Sequence, residues 1–362
     1  MGDLFATPVS TDWEGLVRSI DRSAMPSRVH HIELFLDAEV QDAVCRAFHL
    51  LDGLDADDPF FPQRKQVAIQ SFLGYDYVRM GLEGMEMPLH NLAATDTADL
   101  SREGGRQFVD EHRGPITNWD EFHAYPWPDP HAASTRSLEW YSEHLPDSMC
   151  IIGSGGFAHF AEYLTWLMGY ETFCMALYEQ RDLVAAISQH LIDMYEVVIQ
   201  RILEFDRVKL IWGSDDMGYR GGPLASPDDL REFVLPGHKR MAEMAHAAGR
   251  PYLLHSCGDL SLLMDDLIDD VGIDAKHSFE DTIERVTDAK QAYGGQIALL
   301  GGIDLDFLCR ADEAAVRERV RHTLSVCMEG GGYCLGSGNS VANYIPLGNY
   351  LAMVDEGRRF TL

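Results

Sequence analysis

The sequence predicts an α/β chain folded as a (β/α)8 TIM barrel, and two observations carry that expectation. Eight short apolar runs recur along 362 residues, and helical apolar patterns separate them. No Gly-x-Gly-x-x-Gly follows the first run, which disfavours the open dinucleotide-binding sheet. The runs are His31–Phe35, Tyr75–Met80, Met149–Ser154, Val208–Gly213, Tyr252–His255, Gly272–Ala275, Ile297–Gly302 and Gly332–Leu335. Between them, helical spacing covers Glu171–Tyr178, Asp182–Glu204, Pro227–Ala248, Leu260–Asp269, Glu280–Tyr293, Asp312–Met328 and Pro346–Gly357. The helix at Pro227 is announced by Ser226 as N-cap with proline at the first helical position. Residues 1–28 read as an N-terminal helical extension, because Asp12-Trp-Glu-Gly-Leu-Val-Arg-Ser-Ile20 has helical apolar spacing. Residues 81–148, rich in proline and polar turns, read as an insertion after the second strand that covers the barrel mouth. Residues 1–362 therefore form one expected barrel domain.

Composition narrows the function classes. An apolar fraction of 46% is ample for a core, and no run approaches the ~18 apolar residues a membrane span needs. The N-terminus lacks the basic start and apolar stretch of a secretory signal, so a soluble, cytoplasmic chain is expected. A net charge of −29, from 58 acidic and 29 basic residues, repels nucleic acid and anionic lipid. It fits small-molecule substrates or a basic partner surface. The cysteines, Cys45, Cys150, Cys174, Cys257, Cys309, Cys327 and Cys334, are odd in number and widely spaced, which argues against a disulfide framework.

In such a barrel, functional side chains belong at the C-terminal ends of strands. His255 and Cys257 close the fifth run, and residues two apart on a strand share a face, with Cα atoms roughly 6–7 Å apart. An imidazole and a thiolate on one face suit zinc. Cys334, in the eighth run, would complete a Cys2His site with one open position; His277, Glu33 and Asp216 are alternative third ligands. Asp215 and Asp216 close the fourth run, His277 follows the sixth, Asp304 follows the seventh and is read as a helix cap, and Glu33 lies in the first. Asp216 and Glu33 are candidate proton-exchanging or substrate-positioning groups. Asp215, His277 and Asn339 are candidate substrate-binding groups. The glycine-rich stretch Gly330–Asn339 lacks the Gly-Lys-Ser/Thr of a nucleotide loop and reads as a tight turn admitting a large substrate.

With these residues in place, the chain resembles the uroporphyrinogen decarboxylase superfamily over about residues 29 to 355. The matching phrases are Gly114-Pro-Ile with Tyr125-Pro-Trp-Pro-Asp129, Leu167-Met-Gly-Tyr-Glu171, Asp215-Asp-Met-Gly218, Ser226-Pro-Asp-Asp-Leu-Arg-Glu-Phe-Val-Leu-Pro236, His255-Ser-Cys-Gly258 and Gly301-Gly-Ile-Asp304. The arginine-bearing Met-Arg-Gln-Ala-Gly-Arg segment of true decarboxylases is replaced here by Ser27–Asp37, and no Phe-Ser-Asp follows the second run. The resemblance is therefore to the corrinoid-dependent methyltransferase branch. It implies methyl transfer between a small methylated substrate (aryl methyl ether, methylamine or thiol) and the cobalt of a corrinoid (cobalamin), assisted by zinc on His255, Cys257 and a third ligand. In thiol-methylating members that third ligand is a Cys placed near Asn339; Cys334 lies five residues earlier. Asp129-Pro-His131 is followed by Ala-Ala-Ser rather than the Asp-x-His-x-x-Gly that ligates a corrinoid, so the corrinoid is expected on a separate protein. A monomer or homodimer is implied. The alternatives are a tetrapyrrole decarboxylase or a non-catalytic tetrapyrrole- or corrinoid-binding barrel.

Overall fold

The architecture was analysed in a computed structural model, in which residues 4–110 and 112–361 are described. Seven of the eight expected runs form strands of a single all-parallel sheet: β1 (Tyr77–Met80), β2 (Cys150–Gly153), β3 (Val208–Ser214), β4 (Tyr252–His255), β5 (Ala275–His277), β6 (Ala298–Leu300) and β7 (Tyr333–Cys334). They pair in chain order, each with the next. Parallel strands carry helices on their outer face and pack side chains within, so they read as continuous apolar runs rather than alternating ones. β2 and β4 are buried at every position. The result is TIM-barrel-like.

The first run departs from expectation. It forms no strand, only isolated parallel bridges at His31–Leu335 and Leu36–Val341. Ile32 N donates to Leu335 O at 2.8 Å, and Leu335 N to His30 O at 2.8 Å, so the segment lies beside β7. On its other side a side chain replaces the ladder. The Tyr77 hydroxyl accepts from Glu33 N at 2.8 Å and donates to Glu33 O at 3.1 Å, satisfying both backbone groups at once. One phenol thus occupies the seam that strand pairing would otherwise close. Tyr77→Phe leaves a buried N–H and C=O unpaired and is expected to cost about 1–3 kcal/mol. Urea unfolding measures this, and an unchanged midpoint would remove the seam from the account.

Helices follow the sequence pattern with three shifts, one being that the helix expected over Glu280–Tyr293 begins only at Val286. The long helix Arg181–Ile202 buries Leu183, Val184, Ile187, Leu191, Met194, Tyr195, Val198, Ile199 and Ile202, the i, i+3/i+4 stripe of a core-facing helix. The expected single helix from Pro227 to Ala248 is two, Pro227–Phe233 and Leu235–Ala247, broken at Val234. Pro236 has no N–H to give the preceding turn, so the second helix starts afresh there. In place of a helix over Leu260–Asp269 the chain forms a π-helical turn at Asp266–Val271.

The N-terminal extension contains the helix Trp13–Ile20, capped by Asp12; residues 1–3 of the expected extension lie outside the described residues. Its partners lie at or before the starts of strands. Asp12 N donates to Asp76 Oδ1 at 2.6 Å, Trp13 N to Ser148 O at 3.0 Å, and Ser19 Oγ to Tyr333 O at 3.4 Å. This helix therefore closes the N-terminal end of the strands, and the chemistry is left to the other end. Residues 81–148 carry a hairpin (Asn91–Ala94 with Arg106–Val109) and the short helices Trp119–Ala124 and Arg136–His144. Their first residues line a cavity at the C-terminal strand ends. The glycines of Gly330–Gly332, all at positive φ, form the turn leading into β7. All seven cysteines are free, and no helix among the described residues is long and apolar enough to cross a membrane.

Candidate metal centre

β4 and the turn after it set the site. His255 ends β4 and is paired in register with Ser214 of β3 and His277 of β5. Gly258, at φ 91°, then turns the chain so closely over the Gly218 backbone that a Cβ would sit 2.1 Å from Gly218 C. That turn presents Cys257 beside Asp216, whose Oδ1 accepts from Cys257 N at 3.0 Å. His255 Nε2 lies 3.5 Å from Cys257 Sγ and 3.5 Å from Asp216 Oδ1. Asp216, His255 and Cys257 thus offer a carboxylate, an imidazole and a thiol whose ligand atoms all lie within 4.8 Å of one another. Ligand bonds of about 2.0–2.3 Å at a tetrahedral angle put donor atoms about 3.3–3.6 Å apart. The two 3.5 Å separations match that spacing.

The surroundings support the trio. His255 Nδ1 is 2.7 Å from His277 Nδ1, so the outer ring nitrogen is held while Nε2 faces Cys257 and Asp216. Burial, foremost, lowers the pKa of both histidines, and the charges of Lys276 and Arg79 add to it. Both rings are accordingly neutral at pH 7. The sulfur of Cys257 accepts from Asn339 Nδ2 at 3.0 Å and from Ser278 Oγ at 3.5 Å. Without a cation, burial and the Asp216 carboxylate push the thiol pKa up despite those donors. Burial also opposes ionisation of Asp216, but hydrogen bonds and charge from His255, with hydrogen bonds from Cys257, outweigh it and hold the carboxyl at about 2. A bound divalent cation would invert the thiol's preference.

Four expected site residues take different places. Cys334 is not with the trio. It ends β7, fully buried, with Ser19 of the N-terminal helix, Asp76 and Arg28 as its neighbours rather than Asp216, His255 and Cys257. Burial raises its thiol pKa to about 12. Asp215, expected to bind substrate, is engaged by protein groups. Its oxygens accept from Ala161 N at 2.8 Å and Glu162 N at 2.9 Å, and its Oδ2 is 2.9 Å from His238 Nε2, so it fastens the start of the helix Phe160–Met168. His277, through Nδ1, meets His255, and Asn339, through Nδ2, donates to Cys257. Asp304 caps the helix Leu305–Arg310, as its position suggested.

Beside the trio lies a cavity of about 920 Å³. Its walls include Glu33, Arg79, Met85, His159, Trp212 and Ser214, the last being the register partner of His255. Glu33 is buried and accepts from Ser337 N at 2.8 Å and from Ser337 Oγ. Burial raises its pKa from 4.5 to about 8, against those hydrogen bonds, so it is protonated at pH 7. Between pH 4.5 and about 8 the folded chain holds a proton that the unfolded chain has released. Stability should therefore fall as pH rises through that window, by up to about 4–5 kcal/mol from this group. Glu33→Gln is expected to flatten that fall, read as urea unfolding at pH 5 and pH 8.5; an identical pH slope in both proteins would count against a protonated Glu33. His159 and Glu162 form a half-buried pair whose hydrogen bond raises the histidine pKa against desolvation.

A family model described as uroporphyrinogen decarboxylase (URO-D) matches residues 112–360. This chain belongs to the uroporphyrinogen decarboxylase family. Among its relatives are a methylated-thiol–coenzyme M methyltransferase of Methanosarcina mazei, 35% identical over 132 residues, and a methylcobamide:CoM methyltransferase of Methanosarcina barkeri, 27% identical over 131. Each alignment covers 36% of this chain; they span 33% and 36% of the relatives' own lengths. A methyltransferase structure from Methanosarcina mazei superimposes with a TM-score of 0.67 at 17% identity, covering 97% of this chain and 99% of the other, which shows a shared fold. Within this member of the uroporphyrinogen decarboxylase family, sequence reasoning missed His159, Arg79, Trp212 and Ser337. His159 follows β2 and was reachable by the strand-end rule. Arg79 was signalled only as a lone cation in an apolar run.

Proposed function

We propose that the chain is a corrinoid-dependent methyltransferase in which Asp216, His255 and Cys257 hold zinc. The observation that carries the reading is the approach of those three donor atoms to within 4.8 Å at the C-terminal strand ends. The similarity to two methyltransferases supports the reaction class. Zinc, when bound, supplies a Lewis acid that lowers the pKa of a substrate thiol or polarises a methyl-bearing heteroatom. Three protein ligands leave a fourth position for that substrate atom.

The chain's own residues do the rest. Asn339 and Ser278 donate to the Cys257 sulfur and stabilise its anionic form. His277 fixes the ring of His255. Glu33, protonated near neutrality and facing the cavity, donates its proton to the substrate heteroatom as methyl leaves it. Asp216, first a candidate for that task, belongs instead with the ligands. The methyl group passes to or from the cobalt of a corrinoid carried by a partner protein docked over the cavity, because the chain lacks the Asp-x-His-x-x-Gly segment.

Mixing the purified chain with methylcobalamin and thiols, or with cob(I)alamin and methyl ethers, methylamines or methylated thiols, tests the reaction. A change in the cobalt absorbance that depends on chain and zinc is expected. No change with any pair, in zinc-loaded protein, would overturn the reading.

A further inference from the structure

Arg79 is no ligand of the metal centre, on which only its charge bears, and its position is unusual. It lies on β1 with its guanidinium at the wall of the cavity, over the Trp212 ring with its Cζ 4.7 Å from the centroid. Its Nε donates to Ser154 Oγ at 3.0 Å, and among the described residues its two Nη groups find no hydrogen-bond partner. Among the described residues no carboxylate lies within 4.0 Å of it. The acids around the cavity are otherwise disposed: Glu33 is protonated and held by Ser337, Glu83 accepts from Ser137, Glu162 pairs with His159, and Glu86 is exposed. Burial lowers the Arg79 pKa only to about 10, so the charge persists at pH 7. An inward-facing cation without a counter-ion is costly unless a ligand supplies the opposite charge.

A second, independent group points the same way. Trp212, 1% exposed and lining the same cavity, has an indole N–H with no acceptor. A buried indole donor ordinarily finds a partner. Fork-shaped guanidinium donors beside a free N–H match the planar oxygens of an organic acid. The other walls, including Leu34, Met80, Met85, Met87, Phe157 and Tyr163, suit an apolar body. The metal centre lies close by: the Trp212 ring also packs edge-on against His277 at 5.4 Å, and His277 holds His255.

We propose that Arg79 and Trp212 form an oxyanion-binding subsite. The substrate is then an organic anion, with its carboxylate or sulfonate on Arg79 and its apolar body in the cavity. That the occupant is the methyl-bearing or methyl-accepting substrate rests on the proposed methyl transfer; the subsite itself does not. Isothermal titration of the metal-loaded chain with 4-methoxybenzoate, 4-methoxybenzenesulfonate and the neutral 4-methoxybenzamide tests it without any corrinoid. At least one anion should bind tenfold or more tighter than the amide. Arg79→Met should abolish that preference, Arg79→Lys should keep part of it, and Trp212→Phe should weaken it, with zinc content unchanged in each. The better anion distinguishes a carboxylate from a sulfonate. Binding of neither anion more tightly than the amide, or an undiminished preference in Arg79→Met, would overturn the subsite. A preserved anion preference without methyl transfer would leave the subsite standing and remove the reaction.

Discussion

Cys257→Ser and Asp216→Asn are each expected to lose zinc by more than 100-fold in affinity, while Cys334→Ser retains it. The argument is positional. Cys257 Sγ and Asp216 Oδ1 both stand 3.5 Å from His255 Nε2, whereas the Cys334 thiol is buried near Ser19, away from the trio. Serine keeps the size of Cys257 but supplies a hydroxyl that stays protonated at pH 7, and asparagine keeps the shape of Asp216 without its charge. Either change takes one donor from a three-donor set, and methyl transfer should fall with the metal. Competition with a chromogenic chelator measures the affinities. Loss of zinc in Cys334→Ser with retention in Asp216→Asn would invert the ligand assignment.

His277→Ala should weaken zinc binding by about 10- to 100-fold although His277 donates no electron pair to the metal. With both rings neutral, a metal on His255 Nε2 requires the ring hydrogen on its Nδ1, where His277 Nδ1, 2.7 Å away, accepts it. His277 Nε2 then carries its own hydrogen and faces the Ser337 carbonyl without meeting hydrogen-bond geometry. Deleting that acceptor strands a buried N–H on His255 and frees its ring to turn. His277→Asn, which can still accept, should recover part of the loss. Equal affinity in wild type and His277→Ala would show that the ring of His255 is held by packing alone.

How much of this was legible in the sequence depends on what each inference needed. The strand–helix rhythm needed only local apolar pattern, and it located seven strands. It failed at His31–Phe35 because a Tyr77 hydroxyl, 42 residues beyond that run, takes the place of a ladder there. His255 and Cys257 were legible because a two-residue spacing at a strand end fixes a shared face. Asp216 could be shortlisted but not ranked, since its role turns on which of two adjacent aspartates faces the cysteine and which caps a helix. Cys334 was misplaced for a matter of depth: residue type and strand were right, but its thiol is buried toward Ser19 of the N-terminal helix and does not join the trio. Arg79 was legible only as a lone cation in an apolar run and Trp212 not at all, because their significance is the lack of partners, which sequence cannot show.

The central claim is best tested by zinc X-ray absorption on the loaded wild-type chain, with the fine structure fitted for ligand type. One sulfur at about 2.3 Å with imidazole nitrogen and oxygen at about 2.0–2.2 Å is the result expected of Asp216, His255 and Cys257. Two sulfurs, or a purified chain that neither carries nor takes up zinc, would contradict it.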